Sequence, residues 1–467
     1  MSLRPLLFVA MPFGRKSDPS GRFEIDFDDI YGRAIKVAAE AAGVDVIRAD
    51  EEVLGGPIHV AMYERLLLAE IVVADLTLSN PNVFYELGVR HAARPRSTIL
   101  VYAKHGQIPF DLSPMRAIPY DLEDGKLADA AVAPFVDVLK SRIERVKTDT
   151  AHTDSPLFQM LPGMQALTLA SEVAESFRDR VAAVSAIQAR VRDAVQDGGH
   201  ERALHQLAAI EAELRPFVGM PPTALVDLML AYRTISAWDK MARYIDALPE
   251  PIRGAPTVQE QLALALNRRN GPGDRRRAIT ILQALVAGRD HAASSETYSI
   301  LGRVYKDMYT EHHDAGREGE AAAALQEAVE SYLAGFEADP RDYYPGINAI
   351  TLSLLQGDAA AAARIERLRP VVAFAVARRG GLGSNDYWDV ATAYELAAIG
   401  QEWDVVRRAA GRLSLLAHEA WMLETTVNNS RLIASWLDAR SADHQELDRA
   451  VAMLDRRAVE IVGAPAR

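Results

Sequence analysis

The sequence predicts two regions of different fold class: an α/β region built on a parallel sheet, followed by an all-α region of helical repeats. Over residues 1–147, short apolar segments alternate with amphipathic ones. Strands that are almost wholly apolar are typical of a parallel sheet covered by helices on both faces. Beyond a polar, turn-rich stretch at 148–162, strand patterns nearly vanish. We therefore divide the chain into an α/β domain at 1–147, a linker at 148–162 and a helical domain at 163–467.

Four strands and four helices are predicted for the α/β domain. The apolar segments that predict strands are Leu6–Met11, Val44–Arg48, Ile71–Asp75 and Thr98–Tyr102. The segments that predict helices are Asp28–Ala42, Pro57–Ala69, Asn82–Ala93 and Leu127–Val146. Because such sheets bind ligands at the C-terminal ends of their strands, we expect a site in the loops Met11–Gly14, Arg48–Glu52 and Asp75–Asn80.

One segment of the helical domain fits the frame of a tetratricopeptide repeat. The first helix of that frame is matched by Tyr298, Leu301, Gly302 and Tyr305, and the second by Ala328, Tyr332 and Pro340. An insertion around Glu311–Gly319 separates the two halves, and the small Gly302 would let two helices approach closely. Weaker copies pair Leu262–Asn267 with Ala278–Val286, Tyr344–Leu355 with Ala360–Leu368, and Trp388–Ala398 with Trp403–Leu416. A stack of such repeats has a concave surface that typically binds peptides or partner proteins.

Composition excludes several classes of function. The chain of 467 residues has no cysteine, which excludes disulfides, thiolate metal sites and cysteine nucleophiles. A net charge of −12 disfavours duplex nucleic acid as the main partner. No phosphate-binding glycine motif and no HExxH metal motif occurs, so no metal and no cofactor is expected. No window of about twenty apolar residues is present, so we expect a cytoplasmic protein without a membrane partner.

Two carboxylates mark a candidate catalytic site. Asp75 ends the apolar run Ile71–Ala74, and Glu86 follows one turn into the next predicted helix. A carboxylate close to a sugar carbon can attack that carbon or stabilise a positively charged transition state there. The same residues also fit a structural interpretation, in which Asp75 caps the helix and Glu86 is a solvated first-turn acid. The spacing alone leaves both interpretations open.

The first ~120 residues resemble the TIR-like and nucleoside 2-deoxyribosyltransferase-like superfamily. The resemblance is carried by FVAMPFG (Phe8–Gly14), AEIVVADLT (Ala69–Thr77), NPNVFYELGVRHA (Asn80–Ala92), IPFDL (Ile108–Leu112) and Arg116. It implies a flavodoxin/TIR-like fold with Glu86 as the catalytic residue. The transferases carry an Asp where this chain has Asn80-Pro81-Asn82-Val83, so cleavage of NAD is expected rather than deoxyribosyl transfer.

Seven further residues are predicted to bind the substrate: Met11, Phe13, Gly14, Asp75, Asn80, Asn82 and Tyr85. Asp75 could accept hydrogen bonds from the hydroxyls of a ribose. Gly14 permits a tight approach of the loop backbone to a phosphate or sugar. Phe13 could stack on a base and Tyr85 could line the pocket, although both also fit ordinary core packing.

Residues from about 163 to 440 resemble the TRAFs-binding domain of ASK-type MAP kinase kinase kinases. The segments that carry the resemblance are ETYSILGRVYKDMY (Glu296–Tyr309), YYPGINAITL (Tyr343–Leu352) and WMLETTVNN (Trp421–Asn429). Together the two resemblances imply a bacterial stress- or defence-type signalling effector. Its α/β domain would cleave the N-glycosidic bond of NAD or a related nucleotide under control of the helical repeats.

The alternative is a non-catalytic signalling scaffold or nucleotide sensor that recruits a protein partner through the repeats. TIR-like sites are often completed by neighbouring subunits, so the first resemblance also implies at least a dimer.

Overall fold

The computed structural model describes residues 4–17, 24–48, 58–104, 117–149, 151–161, 163–167, 171–196, 199–288 and 293–463. Three sequence features used above lie outside the described residues: positions 49–52 of one expected loop, the segment Ile108–Leu112 and Arg116. In this description, an N-terminal α/β region with a parallel sheet is followed by an all-helical region. The predicted fold class is confirmed at this level.

A five-stranded parallel sheet forms the centre of the α/β region. Its strands, in spatial order, are β4 (Asp45–Arg48), β1 (Leu6–Ala10), β5 (Ile71–Asp75), β6 (Thr98–Ala103) and β7 (Ile118–Tyr120). In chain order this arrangement is 2-1-3-4-5, a common doubly wound topology. The order reverses between β1 and β5, so a ligand crevice is expected beyond the C-terminal ends of these two strands.

Alternate residues of each strand enter two different cores. Leu7 and Val9 of β1 belong to one buried cluster with Ile30 and Leu139, whereas Phe8 belongs to a second cluster on the opposite face. Successive side chains of a strand point to opposite faces, so an all-apolar strand requires a cover on both sides. The helices supply it on each face, as the apolar strand sequences predict.

The helices of this region begin and end close to the predicted positions. They are α1 (Phe27–Ile30), a π-helical turn (Tyr31–Ile35) and α2 (Lys36–Ala41) in continuous succession, then α3 (Ile58–Leu68), α4 (Pro81–Ala93) and α5 (Asp129–Thr148). Helix α4 begins after Asn80, whose side chain accepts hydrogen bonds from the N–H groups of Asn82 at 2.9 Å and Val83 at 3.4 Å. An N-terminal cap of this kind satisfies donors that have no partner inside the helix.

Short strands are the elements that the sequence analysis missed. Besides β7, these are the antiparallel pair β2 (Arg15–Ser17) and β3 (Glu24–Asp26), and the pair β8 (Leu122–Glu123) and β9 (Lys126–Leu127). Segments of two or three residues are too short to show a hydrophobic period. Leu127 was predicted to begin the last helix of this region. It pairs with Leu122 instead, and the helix begins at Asp129.

Fifteen described helices follow the α/β region. They are α6 (Pro156–Met160), α7 (Ser171–Gln196), α8 (His200–Leu214), α9 (Pro222–Thr234), α10 (Trp238–Ala247), α11 (Pro256–Arg269), α12 (Asp274–Ala287), α13 (Ser295–Asp314), α14 (Glu318–Ala338), α15 (Tyr343–Gln356), α16 (Ala359–Arg378), α17 (Tyr387–Ile399), α18 (Trp403–Leu416), α19 (Ala420–Asp438) and α20 (Gln445–Gly463).

The chain divides into two compact units, Met1–Val258 and Gln259–Arg467. The boundaries predicted at 147 and 163 rest on composition and stay a prediction. In the described residues, no helix is both long enough and apolar enough to cross a membrane.

Close helix packing in the second unit occurs at small residues. A Cβ atom added at Gly302 would lie 2.8 Å from two atoms of the Tyr332 ring, and Tyr332 is completely buried. The predicted contact across Gly302 is therefore confirmed. Gly346 repeats the arrangement against Phe336 and Val372. The predicted insertion near Glu311–Gly319 is accommodated by long helices, since α13 extends to Asp314 and α14 begins at Glu318.

Candidate functional site

The loop after β1 is attached to the start of α1. The N–H of Gly14 donates a hydrogen bond to the carboxylate of Asp28 at 3.1 Å, and its carbonyl accepts one from the N–H of Phe27 at 3.1 Å. Gly14 has a φ of +63°, a conformation that favours glycine. Met11 is buried in the core, whereas Phe13 is half-exposed with the ammonium of Lys16 5.1 Å from its ring centre.

Asp75 is completely buried at the C-terminal end of β5. One carboxylate oxygen accepts hydrogen bonds from the Thr77 N–H at 2.9 Å and the Thr77 hydroxyl at 2.5 Å. The other accepts a hydrogen bond from the Tyr120 hydroxyl at 2.8 Å, and the Thr77 hydroxyl also accepts one from the Ala103 N–H. Burial raises the pKa of Asp75 above its usual range. The carboxylate therefore connects the end of β5 to β7, and Thr77 extends this network to the end of β6.

The next three predicted residues lie on or beside α4. Asn80 is the N-terminal cap of the helix, and Asn82 is exposed in its first turn. Tyr85 is exposed over 56% of its surface, and its hydroxyl lies 2.7 Å from the hydroxyl of Tyr63. The predicted residues thus occupy the C-terminal edge of the sheet, but Asn80 and Asp75 already hold local structure there.

Glu86 is the buried acid of α4, with 7% of its surface exposed. Burial raises its pKa from 4.5 to about 7. Among the described residues, no hydrogen-bond donor reaches its carboxyl group. A carboxyl without such a partner is destabilising when it ionises inside the protein.

The stability of the protein is expected to depend on pH through Glu86. Between pH 4.5 and about 7, the folded state keeps a proton on Glu86 that the unfolded chain has released, so stability falls as pH rises through this window. From the pKa difference, this loss in the free energy of unfolding is about 3 kcal/mol, and it should be absent in the Glu86→Gln variant. Urea unfolding at pH 5 and pH 8 measures the difference.

The matched control for that measurement is Glu40→Gln, since Glu40 is exposed at the end of α2. We expect its dependence on pH to follow the wild-type protein. Identical pH dependence for Glu86→Gln and the wild-type protein would contradict the buried, proton-holding state of Glu86.

A second candidate surface lies in the second unit, where polar side chains occur on every second helix from α11 to α19. We call this set the polar ladder; its members are Asn267, Arg303, Lys306, Asp307, Asn348, Glu395 and Asn429. These residues lie on α11, α13, α15, α17 and α19. The ladder thus crosses five helices from separate parts of the sequence.

Hydrogen bonds join neighbouring members of the polar ladder. At one end, the Asn267 amide and the Arg303 guanidinium each donate to Asp307, at 2.8 and 3.0 Å. In the middle, the Lys306 ammonium donates to the amide oxygen of Asn348 at 3.3 Å. At the other end, the Asn429 amide donates to Glu395 at 2.8 Å.

Burial shifts the pKa values of the two central charged groups. It lowers the pKa of Lys306 and raises that of Glu395 to about 7, while attraction between the two groups opposes both shifts. Glu395 is buried, whereas Lys306 and Asn429 are half-buried. The ladder is therefore a polar surface partly removed from water, where hydrogen bonds are stronger than on an open surface.

Exposed aromatic side chains lie at the N-terminal ends of the same helices. Trp388 and Trp421 are exposed over 36% and 51% of their surfaces, and their ring centres lie 5.6 Å apart. Trp388 precedes Glu395 by seven residues, so the two lie on one face of α17 about 10 Å apart along the axis. Tyr344, one turn before Asn348 on α15, is 42% exposed.

The sequence analysis did not identify the polar ladder, although it quoted the segments that contain most of it. Arg303, Lys306 and Asp307 lie in Glu296–Tyr309, and Asn348 and Asn429 lie in the other two segments that carry the TRAFs-binding resemblance. A signal was available at Asn348, because it is a polar residue inside the mainly apolar segment Tyr343–Leu352. Which of these residues meet across helices could not be read from their spacing.

Fold and surface together define a class of protein: an α/β sheet region followed by a helical region that presents a partly buried polar face. A family model described as the MAP3K TRAFs-binding domain matches residues 83–452, well over half of the chain. The chain belongs to this family. The resemblance of the helical region to the TRAFs-binding domain is thereby confirmed.

Three relatives illustrate the similarity. Mitogen-activated protein kinase kinase kinase 15 of Mus musculus is 24% identical over 381 residues, covering 78% of this chain and 28% of that protein. The kinase kinase kinase nsy-1 of Caenorhabditis elegans is 30% identical over 225 residues, covering 45% and 15%. Mitogen-activated protein kinase kinase kinase 5 of Homo sapiens is 23% identical over 421 residues, covering 84% and 30%. The chain spans less than a third of each of these relatives.

The matches overturn the predicted main function. Cleavage of the N-glycosidic bond of NAD or a related nucleotide is wrong, because the matching proteins are named as kinases of a signalling cascade and the family is a TRAFs-binding domain. They also give no support to the TIR-like and deoxyribosyltransferase-like resemblance or to NAD as a ligand. The roles predicted for Glu86 and the seven substrate-binding residues stay predictions, with the surroundings described above.

Proposed function

We propose that this chain is a recruiting module of a kinase signalling pathway, which acts by binding a protein partner through its second unit. Membership of the TRAFs-binding family supports this proposal. The single observation that carries it is the polar ladder. Its hydrogen bonds join α11, α13 and α15, and separately α17 and α19, and attraction between Lys306 and Glu395 relates the two sets. Such a surface spans several repeats and offers an extended partner segment a continuous row of contacts.

The ladder keeps hydrogen-bonding capacity for a partner. An ammonium group has three donors, and Lys306 directs one of them to Asn348. Among the described residues, no hydrogen bond reaches the amide oxygen of Asn429. An amide side chain can pair with a peptide backbone through both its donor and its acceptor. We infer that Lys306 and Asn429 contact the main chain or polar side chains of the partner.

The exposed aromatic rings supply the apolar part of this interface. Trp388 and Trp421 contact each other and keep about a third and a half of their surfaces exposed to water, which is unfavourable for two large apolar rings. Exposed Trp and Tyr side chains are enriched where protein interfaces gain most of their binding energy. We therefore expect the partner to cover Trp388, Trp421 and Tyr344 with apolar side chains.

The proposed partner class is a TRAF protein, following the description of the family. The proposal also includes the division into an α/β domain at 1–147, a linker and a helical domain from 163, and an assembly of at least two copies.

Calorimetry with the purified full chain and a recombinant TRAF domain tests the proposal. The wild-type chain should bind saturably, and Lys306→Ala and Asn429→Ala should each raise Kd at least about tenfold, as loss of a central interface contact does. Arg367→Ala is the matched control, because Arg367 is exposed on α16 and lies outside the ladder. Absence of binding by the folded wild-type chain, or equal Kd values for all variants, would refute the proposal.

A further inference from the structure

A large cleft lies in the first unit, between α2, α7 and α9. Its volume is about 900 Å³. This size lies within the range of small-molecule sites in proteins. Among the described residues, those that line it come from these three helices and from Trp238 at the start of α10. It is separate from the polar ladder, which belongs to the second unit.

Two helix faces give the cleft alternating polar and apolar stripes. On α7, Gln188, Arg192 and Gln196 recur every four residues, and Val191 and Val195 form the adjacent stripe. Residues four apart on a helix lie on the same face, so both stripes face the cleft along the length of the helix. Helix α9 contributes the apolar side chains Leu230 and Ala231, and Trp238 adds an aromatic wall.

The charge of the cleft is opposite to that of the whole chain. Three of its lining residues are cationic, Lys36, Arg192 and Arg233, each from a different helix. Asp227 is the acid among the described lining residues. The cleft therefore has a formal charge of about +2, whereas the chain has a net charge of −12. A cationic cleft in an anionic protein concentrates anions and repels cations.

Asp227 accepts a hydrogen bond from a neutral side chain on the neighbouring helix. The amide of Gln188 donates a hydrogen bond to its carboxylate at 2.6 Å, which connects α7 to α9 across the cleft. Burial raises the pKa of Asp227 to about 6, and the nearby guanidinium groups of Arg192 and Arg65 oppose that shift. Asp227 and Gln188 thus join the two helices that form the walls.

We propose that this cleft binds a small organic phosphate with an apolar body. A phosphate monoester carries a charge between about −1.5 and −2 near neutral pH, which matches the cleft better than a single carboxylate does. Guanidinium groups bind phosphate oxygens through paired, charge-assisted hydrogen bonds, and Arg192 of α7 and Arg233 of α9 both line the cleft. The stripe of Val191 and Val195 and the ring of Trp238 then pack against the apolar body.

Binding of three probes to the full chain tests separately whether the cleft recognises the phosphate group and the apolar body. The probes are phenyl phosphate, inorganic phosphate and phenol, measured by thermal shift and by the fluorescence of Trp238, which lines the cleft. Phenyl phosphate should bind most tightly, inorganic phosphate more weakly because it lacks the apolar body, and phenol not measurably. Trp238→Phe should lose most of the fluorescence change on binding and keep the thermal shift.

Single substitutions test whether phenyl phosphate binds in this cleft. Arg192→Ala and Arg233→Ala should each raise Kd for phenyl phosphate about tenfold, the effect of one charge-assisted contact. Arg243→Ala is the matched control, since Arg243 is an exposed arginine of α10 paired with Asp239 and is not part of the cleft lining. No saturable binding of phenyl phosphate by the folded wild-type chain, or equal Kd values for the Arg192→Ala and Arg243→Ala variants, would overturn the proposal. Neither result bears on the polar ladder.

Discussion

Gly302→Val is expected to lower the free energy of unfolding of the second unit by about 3 kcal/mol. A Cβ atom at this position would lie 2.8 Å from two ring atoms of Tyr332, closer than packed carbon atoms approach. The ring cannot move aside easily, because Tyr332 is completely buried between α13 and its neighbours. Relief of the clash therefore requires the two helices to separate. Urea unfolding followed by far-UV circular dichroism measures the loss.

Gly411→Val is the matched control for that substitution. Gly411 also lies inside a helix of the second unit, α18, but a Cβ atom there would meet nothing within 4 Å. Its effect should stay within about 0.5 kcal/mol, as for ordinary surface substitutions. Equal stability losses for the two variants would contradict the close packing across Gly302.

Arg90→Met should destabilise the first unit by about 4 kcal/mol, because several buried carbonyls lose their hydrogen-bond donor at once. Arg90 is 1% exposed, and one terminal nitrogen donates hydrogen bonds to the carbonyls of Leu66 at 2.8 Å and Ala69 at 2.9 Å. The other donates to the carbonyls of Glu70 and Ser97 at 3.3 and 3.4 Å. Methionine fills a similar volume but leaves these four carbonyls without their donor.

Arg94→Met provides the graded comparison. Arg94 is half-buried and donates two hydrogen bonds to a single carbonyl, that of Leu67. Water can replace this donor after substitution, so the loss should be about 1 kcal/mol. Chemical unfolding of both variants at one pH measures the two losses in the free energy of unfolding. A smaller loss for Arg90→Met than for Arg94→Met would contradict a stabilising role for the hydrogen bonds of Arg90.

The main elements of the α/β region were predictable because their apolar residues carry a clear period. β1 is wholly apolar and β5 is apolar up to Asp75, both strands are buried, and α4 begins after a capping asparagine. The short strands β7, β8 and β9 were not predictable, since segments of two or three residues are too short to show a hydrophobic period. The π-helical turn at Tyr31–Ile35 likewise leaves no pattern in the residues.

The polar ladder was not predictable for a different reason. Lys306, Asn348 and Asn429 lie on three helices, and their hydrogen bonds depend on how those helices pack. Sequence spacing describes one helix at a time, so it indicates a polar position and cannot give its partner.

The incorrect functional prediction was based on a motif whose residues have structural roles in this chain. Within and around NPNVFYELGVRHA, Asn80 caps α4, Arg90 braces the end of α3, and Asp75 connects three strand ends. These duties alone are sufficient reason for the residue types found there. The two carboxylates near a strand end therefore led to the prediction of a catalytic site. In the structure, one of them, Asp75, is hydrogen-bonded to Thr77 and Tyr120 at the edge of the sheet.

Hydrogen–deuterium exchange of the full chain, with and without a bound TRAF domain, tests the central claim most directly. If the second unit recruits the partner through the polar ladder, protection should increase in the segments around Arg303–Asp307, Tyr344–Asn348, Trp388–Glu395 and Trp421–Asn429. Helices α14, α16 and α18, which carry no member of the ladder, should exchange as in the free chain. Protection confined to those helices or to the α/β region would contradict the claim.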